Sequence, residues 1–102
     1  MSESEVQAQI IKYAKYLGFI PIRMNSGYSG RHNVHLAPKG TPDLLIVHDA
    51  GCLWVEVKGP NGKLRDSQKA MHRELRSLGH AVIVARDLSD VKKSLDNLHF
   101  QE

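Results

Sequence analysis

The sequence predicts an α/β domain, a mixed β-sheet flanked by helices, with its elements in the order α-β-β-β-α-β-α. Three observations predict it. Apolar residues recur at helical spacing in three separate segments. Two short strand-like runs are joined by a cluster of three turn residues. A strand-helix-strand passage near the end calls for a crossover connection, which an all-antiparallel sheet does not need.

Each element has its own signal. Glu3 to Leu17 reads as a helix, with Val6, Ile10, Ala14 and Leu17 forming an apolar stripe and Tyr13 beside it. Ser2 or Ser4 is placed to cap its start, and Gly18 to stop it. Phe19 to Met24 reads as a strand, and Pro21 points to an edge position or a strand start. Asn25 to Thr41 reads as a long basic loop punctuated by Gly27, Gly30 and Gly40. Asp43 to His48 and Cys52 to Lys58 read as a hairpin around Asp49-Ala50-Gly51. Gly59-Pro60-Asn61-Gly62 breaks the chain. Asp66 to Leu78 is predicted helical, with Met71, Leu75 and Leu78 on one face. Ala81 to Ala85 is predicted to be a buried strand. Ser89 to Leu98 is predicted to be a final helix capped by Ser89, with Val91, Leu95 and Leu98 inward.

A chain of 102 residues suits one domain over residues 1–102. Hydrophobic residues make up 41% and charged residues 25%, which argues against disorder. The net charge of +3 suits a polyanionic partner. The lone Cys52 excludes an intrachain disulfide and a four-cysteine zinc site, and it reads as a small buried hydrophobe. The acidic, polar N-terminus is not a signal peptide, and no apolar run reaches transmembrane length. An intracellular protein with no membrane partner is expected.

The chemistry concentrates on the hairpin. By strand alternation Trp54, Glu56 and Lys58 share one face, and Leu53, Val55 and Val57 the other. A two-residue loop at Asp49-Ala50 pairs His48 with Gly51, and by the same count Asp43 with Glu56. Opposed side chains have Cβ atoms about 4.5–5.5 Å apart. A three-residue loop with Gly51 left-handed slips the register by one and needs a bulge to restore the shared face. In either register the two acids lie at one end of the hairpin. Two such carboxylates repel unless one is protonated or a cation lies between them. Hard cations such as Mg²⁺ take such oxygens. A lone Glu-x-Lys is more often a surface salt bridge, and a lone Pro-Asp a turn, so the inference rests on the combination.

That combination carries a resemblance. Pro42-Asp43, twelve intervening residues and Glu56-Val57-Lys58 resemble the motif of the PD-(D/E)xK nuclease superfamily. More narrowly, Gly40-Thr41-Pro42-Asp43-Leu44-Leu45, Glu56-Val57-Lys58, Gly62-Lys63-Leu64 and Gln68 resemble the virus-type replication-repair nuclease (VRR-NUC) family, over Glu5 to about Asp90. The resemblance implies a restriction-endonuclease-like αβββαβα core and hydrolysis of DNA with Mg²⁺ or Mn²⁺. It implies that Asp43, Glu56 and the backbone carbonyl of Val57 ligate the metal, and that Lys58 is the catalytic lysine. It implies that Gln68 orients the site from the side, and that Glu5 is the family's N-terminal acid, reaching the metal through a water. The family often has Ser or Thr where this chain has Arg65, and Asp66 is then expected to cap the helix. Stand-alone members resemble homodimers that cleave branched DNA such as four-way junctions, in replication and repair, and a phage or bacterial setting follows from that analogy alone.

Glu5 and Gln68 also have plainer readings, as a first-turn acid and as the glutamine of a capping box. Arg23, Asn25, Arg31, His32, His35 and Lys39 surround the long loop, and with Lys63 and Arg65 they are the expected DNA contacts. No cysteine or further histidine at a supporting spacing makes His32 and His35 a zinc site. Lys69, Arg73 and Arg76 form a basic stripe that either tracks phosphates or is a solvated face. Trp54 reads as core. The rival functional readings are a non-catalytic DNA-binding module with a relic nuclease fold and an interaction protein whose acids bind a structural cation.

Overall fold

A computed structural model of the chain describes residues 1–24, 28–29, 34–35 and 37–100. Helix α1 (Glu3–Tyr16) starts on a capping box. The Ser2 hydroxyl accepts from the Glu5 amide at 3.2 Å, and the Ser2 amide donates back to Glu5 Oε1 at 3.3 Å. Strand β1 (Ile20–Arg23) follows, shorter at both ends than the sequence pattern suggested. The segment expected to be a plain loop instead contains a short antiparallel ladder, β2 (Tyr28–Ser29) with β3 (Val34–His35). Then come β4 (Leu44–His48), β5 (Gly51–Val57), α2 (Asp66–Ser77), β6 (Ala81–Ala85) and α3 (Ser89–Phe100).

The main sheet has the order β1-β4-β5-β6. β1 and β4 pair antiparallel, as do β4 and β5, while β5 and β6 are parallel. The sheet is therefore mixed, and Pro21 stands on an edge strand, where its missing N–H costs no ladder bond. The hairpin takes the two-residue loop. His48 faces Gly51, and the ladder runs on to Leu44 opposite Val55 without a bulge. One step further along that count brings Asp43 opposite Glu56.

Alternation sorts the two faces of the sheet. Leu44, Ile46, Leu53, Val55, Val57 and Ala85 pack with Val6, Ile10 and Ala14 of α1 and Val91 and Leu95 of α3 in one apolar core. Each fully buried aliphatic side chain there contributes about 1.5–3 kcal/mol. The opposite face carries Leu45, Trp54, Glu56 and Val82, and α2 packs on its β6 side. Of the residues in α2, His72 is the one classed as buried.

Several expectations need correction. Leu78, grouped with Met71 and Leu75 on one helix face, is instead the C-cap after the helix ends, and it is exposed. Cys52 is exposed, not buried. It lies opposite Val47 near the tip of the hairpin, on the polar face and away from the β6 edge that α2 covers. Asp66 does not cap α2; Arg65 holds that position without a side-chain cap, and the Arg65 amide donates to Gln68 Oε1 at 2.8 Å. Ser89 is the first residue of α3 rather than its cap. Asp87 Oδ1 accepts from the Asp90 amide, and Asp90 Oδ2 accepts from the Asp87 amide. Trp54 is half-buried, and its indole N–H has no partner among the described residues. Among the described residues no helix is long and apolar enough to cross a membrane.

Candidate active site

A cleft of about 370 Å³ opens where β4 begins and β5 ends. Its wall includes Glu3, Asp43, Glu56, Val57, Lys58 and Gln68, with Lys39 and Arg65 at the basic side. Three elements bring these residues together. β5 delivers Glu56, and Lys58 follows directly after its end, two positions on, with both side chains buried. The start of β4 delivers Asp43, and the first turn of α2 delivers Gln68.

The approach to Asp43 is built by a tight turn. The Thr41 amide and hydroxyl both bond the Pro38 carbonyl, at 3.1 Å and 2.6 Å. Gly40 has φ of 90°, and a Cβ there would lie 2.2 Å from the Ser67 carbonyl oxygen. Only glycine lets this loop seat against the start of α2. Pro42 is buried next to it, and the Asp43 carbonyl accepts from the Met24 amide at 2.8 Å. Asp43 Oδ2 in turn accepts the Val57 amide proton at 2.7 Å, which pins the carboxylate to β5.

The Asp43 carboxyl lies beside the Glu56 carboxyl. Glu56 is 1% exposed. Burial, and then the Asp43 carboxyl beside it, push the Glu56 pKa up to about 8, and the nearby Lys58 ammonium offsets this only in part. Without a cation, then, Glu56 keeps its proton at neutral pH. The turn from Gly59 to Gly62 closes over this site, with the Gly62 amide bonded to the Gly59 carbonyl at 3.2 Å. A Cβ on Gly62 would sit 3.4 Å from Lys58 Cδ and 3.6 Å from Glu3 Oε1, so Gly62 packs close against both side chains.

The structure brings together Asp43, Glu56, Val57, Lys58 and Gln68. It does not add Glu5, which is fully exposed and engaged with Ser2 in the capping box. The acid that α1 contributes to the cleft is Glu3, whose Oε1 accepts the Gly59 amide at 3.1 Å. The Ser2-x-x-Glu5 spacing carried that signal in the sequence, since it assigns Glu5 to the cap. Gln68 lines the cleft and its Oε1 also accepts the Arg65 amide at the start of α2.

Two residues near the site escaped the sequence. His72 Nε2 lies 3.1 Å from Glu56 Oε1, and both side chains are buried. Burial first, then the Arg76 and Lys58 charges, lower the His72 pKa and keep the ring neutral. The available signal was spacing: His72 stands four residues after Gln68, on the same helix face. Arg86, after β6, donates to the Gly59 carbonyl at 2.5 Å and so braces the turn over Lys58.

Of the basic residues, Lys39 and Arg65 line the cleft, and Lys63 and Arg23 are exposed, Arg23 next to the cleft residue Met24. Lys69, Arg73 and Arg76 are exposed on α2, and the Arg76 guanidinium also bonds the Val82 carbonyl at 2.8 Å. Asn25, Arg31 and His32 lie outside the described residues, and His35 is described only as backbone in β3.

Comparison with known proteins agrees with this architecture. The chain matches the family model of the VRR-NUC domain over residues 3–87. It is similar to a solved structure described as a VRR-NUC domain, at 27% sequence identity and a TM-score of 0.73, over 99% of this chain and 100% of that one. No curated protein matches it. The chain belongs to the VRR-NUC family of nucleases.

Proposed function

We propose that this VRR-NUC chain is a metal-dependent deoxyribonuclease, hydrolysing DNA phosphodiesters at a divalent-cation site on Asp43 and Glu56. The observation that carries the reading is that pair: two carboxyls side by side, one almost fully buried, with Lys58 beside them. Desolvated like charges in contact are costly, and a cation relieves that cost. The donors are all hard oxygens, which fits Mg²⁺ or Mn²⁺. Among the described residues no three His, Cys, Asp or Glu side chains converge as a metal site. The Val57 carbonyl and solvent would complete the set, as suits an ion that keeps several of its waters. When bound, the cation supplies charge neutralisation at the phosphate and acidifies water.

The chain's own groups have separable tasks in this reading. Asp43 and Glu56 hold the cation. Lys58, buried and with Gly62 packed close against it, holds a fixed positive charge where charge develops on the phosphate. Gln68 fixes the side of the cleft through the start of α2. Glu3 takes the place first expected for Glu5, from the opposite side. Lys39, Lys63, Arg65 and Arg23 meet the DNA backbone, together with Asn25, Arg31, His32 and His35 of the intervening segment. The sharper form of the proposal is a homodimer acting on branched DNA, because two sites related by a two-fold axis reach two symmetric strands.

The test is incubation with four-way junction, flapped and linear duplex DNA in Mg²⁺, Mn²⁺ or EDTA, with Asp43→Asn and Lys58→Ala alongside. Metal-dependent cutting that both variants lose, while keeping fold and DNA binding, is expected. Binding without cutting by the unsubstituted chain would mean a DNA-binding module. Unchanged cutting by Asp43→Asn would remove the site assignment.

A further inference from the structure

We propose that His72 is a positioning residue for Glu56, donating Nε2–H to Oε1 and thereby turning the other carboxylate oxygen to the cation. This rests on the nuclease reading for the presence of a cation and adds a residue that the family motif does not contain.

The geometry begins with α2. Gln68 and His72 are one helical turn apart, so one helix face carries both toward the end of β5. Gln68 reaches the cleft, and His72 reaches Glu56 at 3.1 Å, beneath it. His72 is 1% exposed, and its Nδ1 has no partner among the described residues. Packing alone does not ask for histidine there. An apolar side chain of similar volume would fill the space and leave no buried nitrogen unsatisfied. What histidine adds is the single contact through Nε2.

That contact has a definite consequence. A carboxylate has two oxygens and rotates about its last bond unless something holds it. A donor on Oε1 fixes the rotation and leaves one oxygen for the cation, and a partner behind a ligating group commonly sets metal affinity in this way. The donor must be Nε2–H once Glu56 is ionised, because a carboxylate only accepts. Asp43 is held similarly, by the Val57 amide on Oδ2. Asp43 is thus tied to the backbone of β5 and Glu56 to a side chain of α2.

The experiment is Mn²⁺ binding measured by calorimetry on the full chain, with His72→Phe and His72→Gln. Phenylalanine keeps the volume and removes the donor; glutamine returns an N–H at similar reach. His72→Phe is expected to weaken Mn²⁺ binding by roughly ten- to a hundredfold, and His72→Gln to recover most of it. Binding by His72→Phe equal to that of the unsubstituted chain would overturn the proposal, as would glutamine doing no better than phenylalanine. Should His72→Phe fail to fold, nitrogen NMR on the unsubstituted chain saturated with Mg²⁺ decides. A proton on Nε2 is expected, and an Nδ1–H tautomer with Nε2 unprotonated overturns it. The two readings fail separately. His72-dependent Mn²⁺ binding with no DNA cutting would sink the nuclease reading alone. Cutting with His72-independent Mn²⁺ binding would sink this one alone.

Discussion

The two faces of β5 are made of neighbouring residues and do opposite things. Val55 and Val57 point into an apolar core shared with α1 and α3. Glu56 and Lys58, one residue along in each case, are buried just as deeply on the other face, among charges. The first face lowers the energy of the fold. The second raises it, because a desolvated carboxyl lies beside another acid and His72 Nδ1 has no partner among the described residues. The difference shows how a small domain can hold a strained polar site: the apolar face of the same strand is rigid enough to keep it in place.

If that division is right, substitutions on the two faces should diverge. The largest stability loss should come from the apolar face. Ile46→Ala should cost about 2–5 kcal/mol in urea unfolding, the usual range for a large aliphatic side chain removed from a core. A loss under half a kilocalorie would mean the core lies elsewhere.

The polar face should show itself in pH. The folded-state pKa of Glu56 stands near 8, above its ordinary value of 4.5. The folded protein therefore holds a proton that the unfolded chain has released. That contribution to stability is fully present below about pH 4.5 and is lost as pH rises through about 8. In EDTA, unfolding followed across this window should show stability falling with pH, and Glu56→Gln should flatten the profile. A rising profile, or one that the substitution leaves unchanged, would contradict the assignment of the proton.

Gly40→Ala sharpens the link between the cleft and α2. The added Cβ would meet the Ser67 carbonyl at 2.2 Å on a residue with φ of 90°. A cost of about 1–3 kcal/mol is expected, with weakened DNA cutting because the turn sets Asp43. Ser2→Ala is the smallest of the set. Losing the cap should cost about 1 kcal/mol and leave cutting at the unsubstituted rate, since Ser2 and Glu5 serve the helix and not the cleft. A cutting defect in Ser2→Ala that its stability loss does not explain would bring Glu5 back toward the site.

How much of this was legible in the sequence depends on how local the cause is. The shared face of Glu56 and Lys58 follows from alternation alone. The pairing of Asp43 with Glu56 needed the loop length, and Asp49-Ala50 supplied it, although Gly51 left a second register open. Gly51 takes φ of 139° inside the strand, not the left-handed turn position that would have slipped the ladder. That Glu5 belongs to the helix cap was readable too, through the Ser2-x-x-Glu5 spacing, but a family pattern pointed to it for the cleft. His72 was not readable. Its position on the Gln68 face is fixed by helical period, yet what it meets depends on how α2 packs over β5 and β6. Cys52 misled because a helix covers only part of a sheet face, and the uncovered part is set by tertiary packing; Leu78 misled because α2 ends at it.

The most direct measurement is Glu56→Gln, assayed for both stability and cleavage at pH 7 with Mg²⁺ in excess and again in EDTA. The substitution removes the charge and keeps the shape. The account predicts that, in EDTA, unfolding is unchanged or shifted toward greater stability, while Mg²⁺-dependent cutting of DNA falls by about a hundredfold or more. A variant that unfolds more easily in EDTA, or that still cuts at the unsubstituted rate, would contradict it.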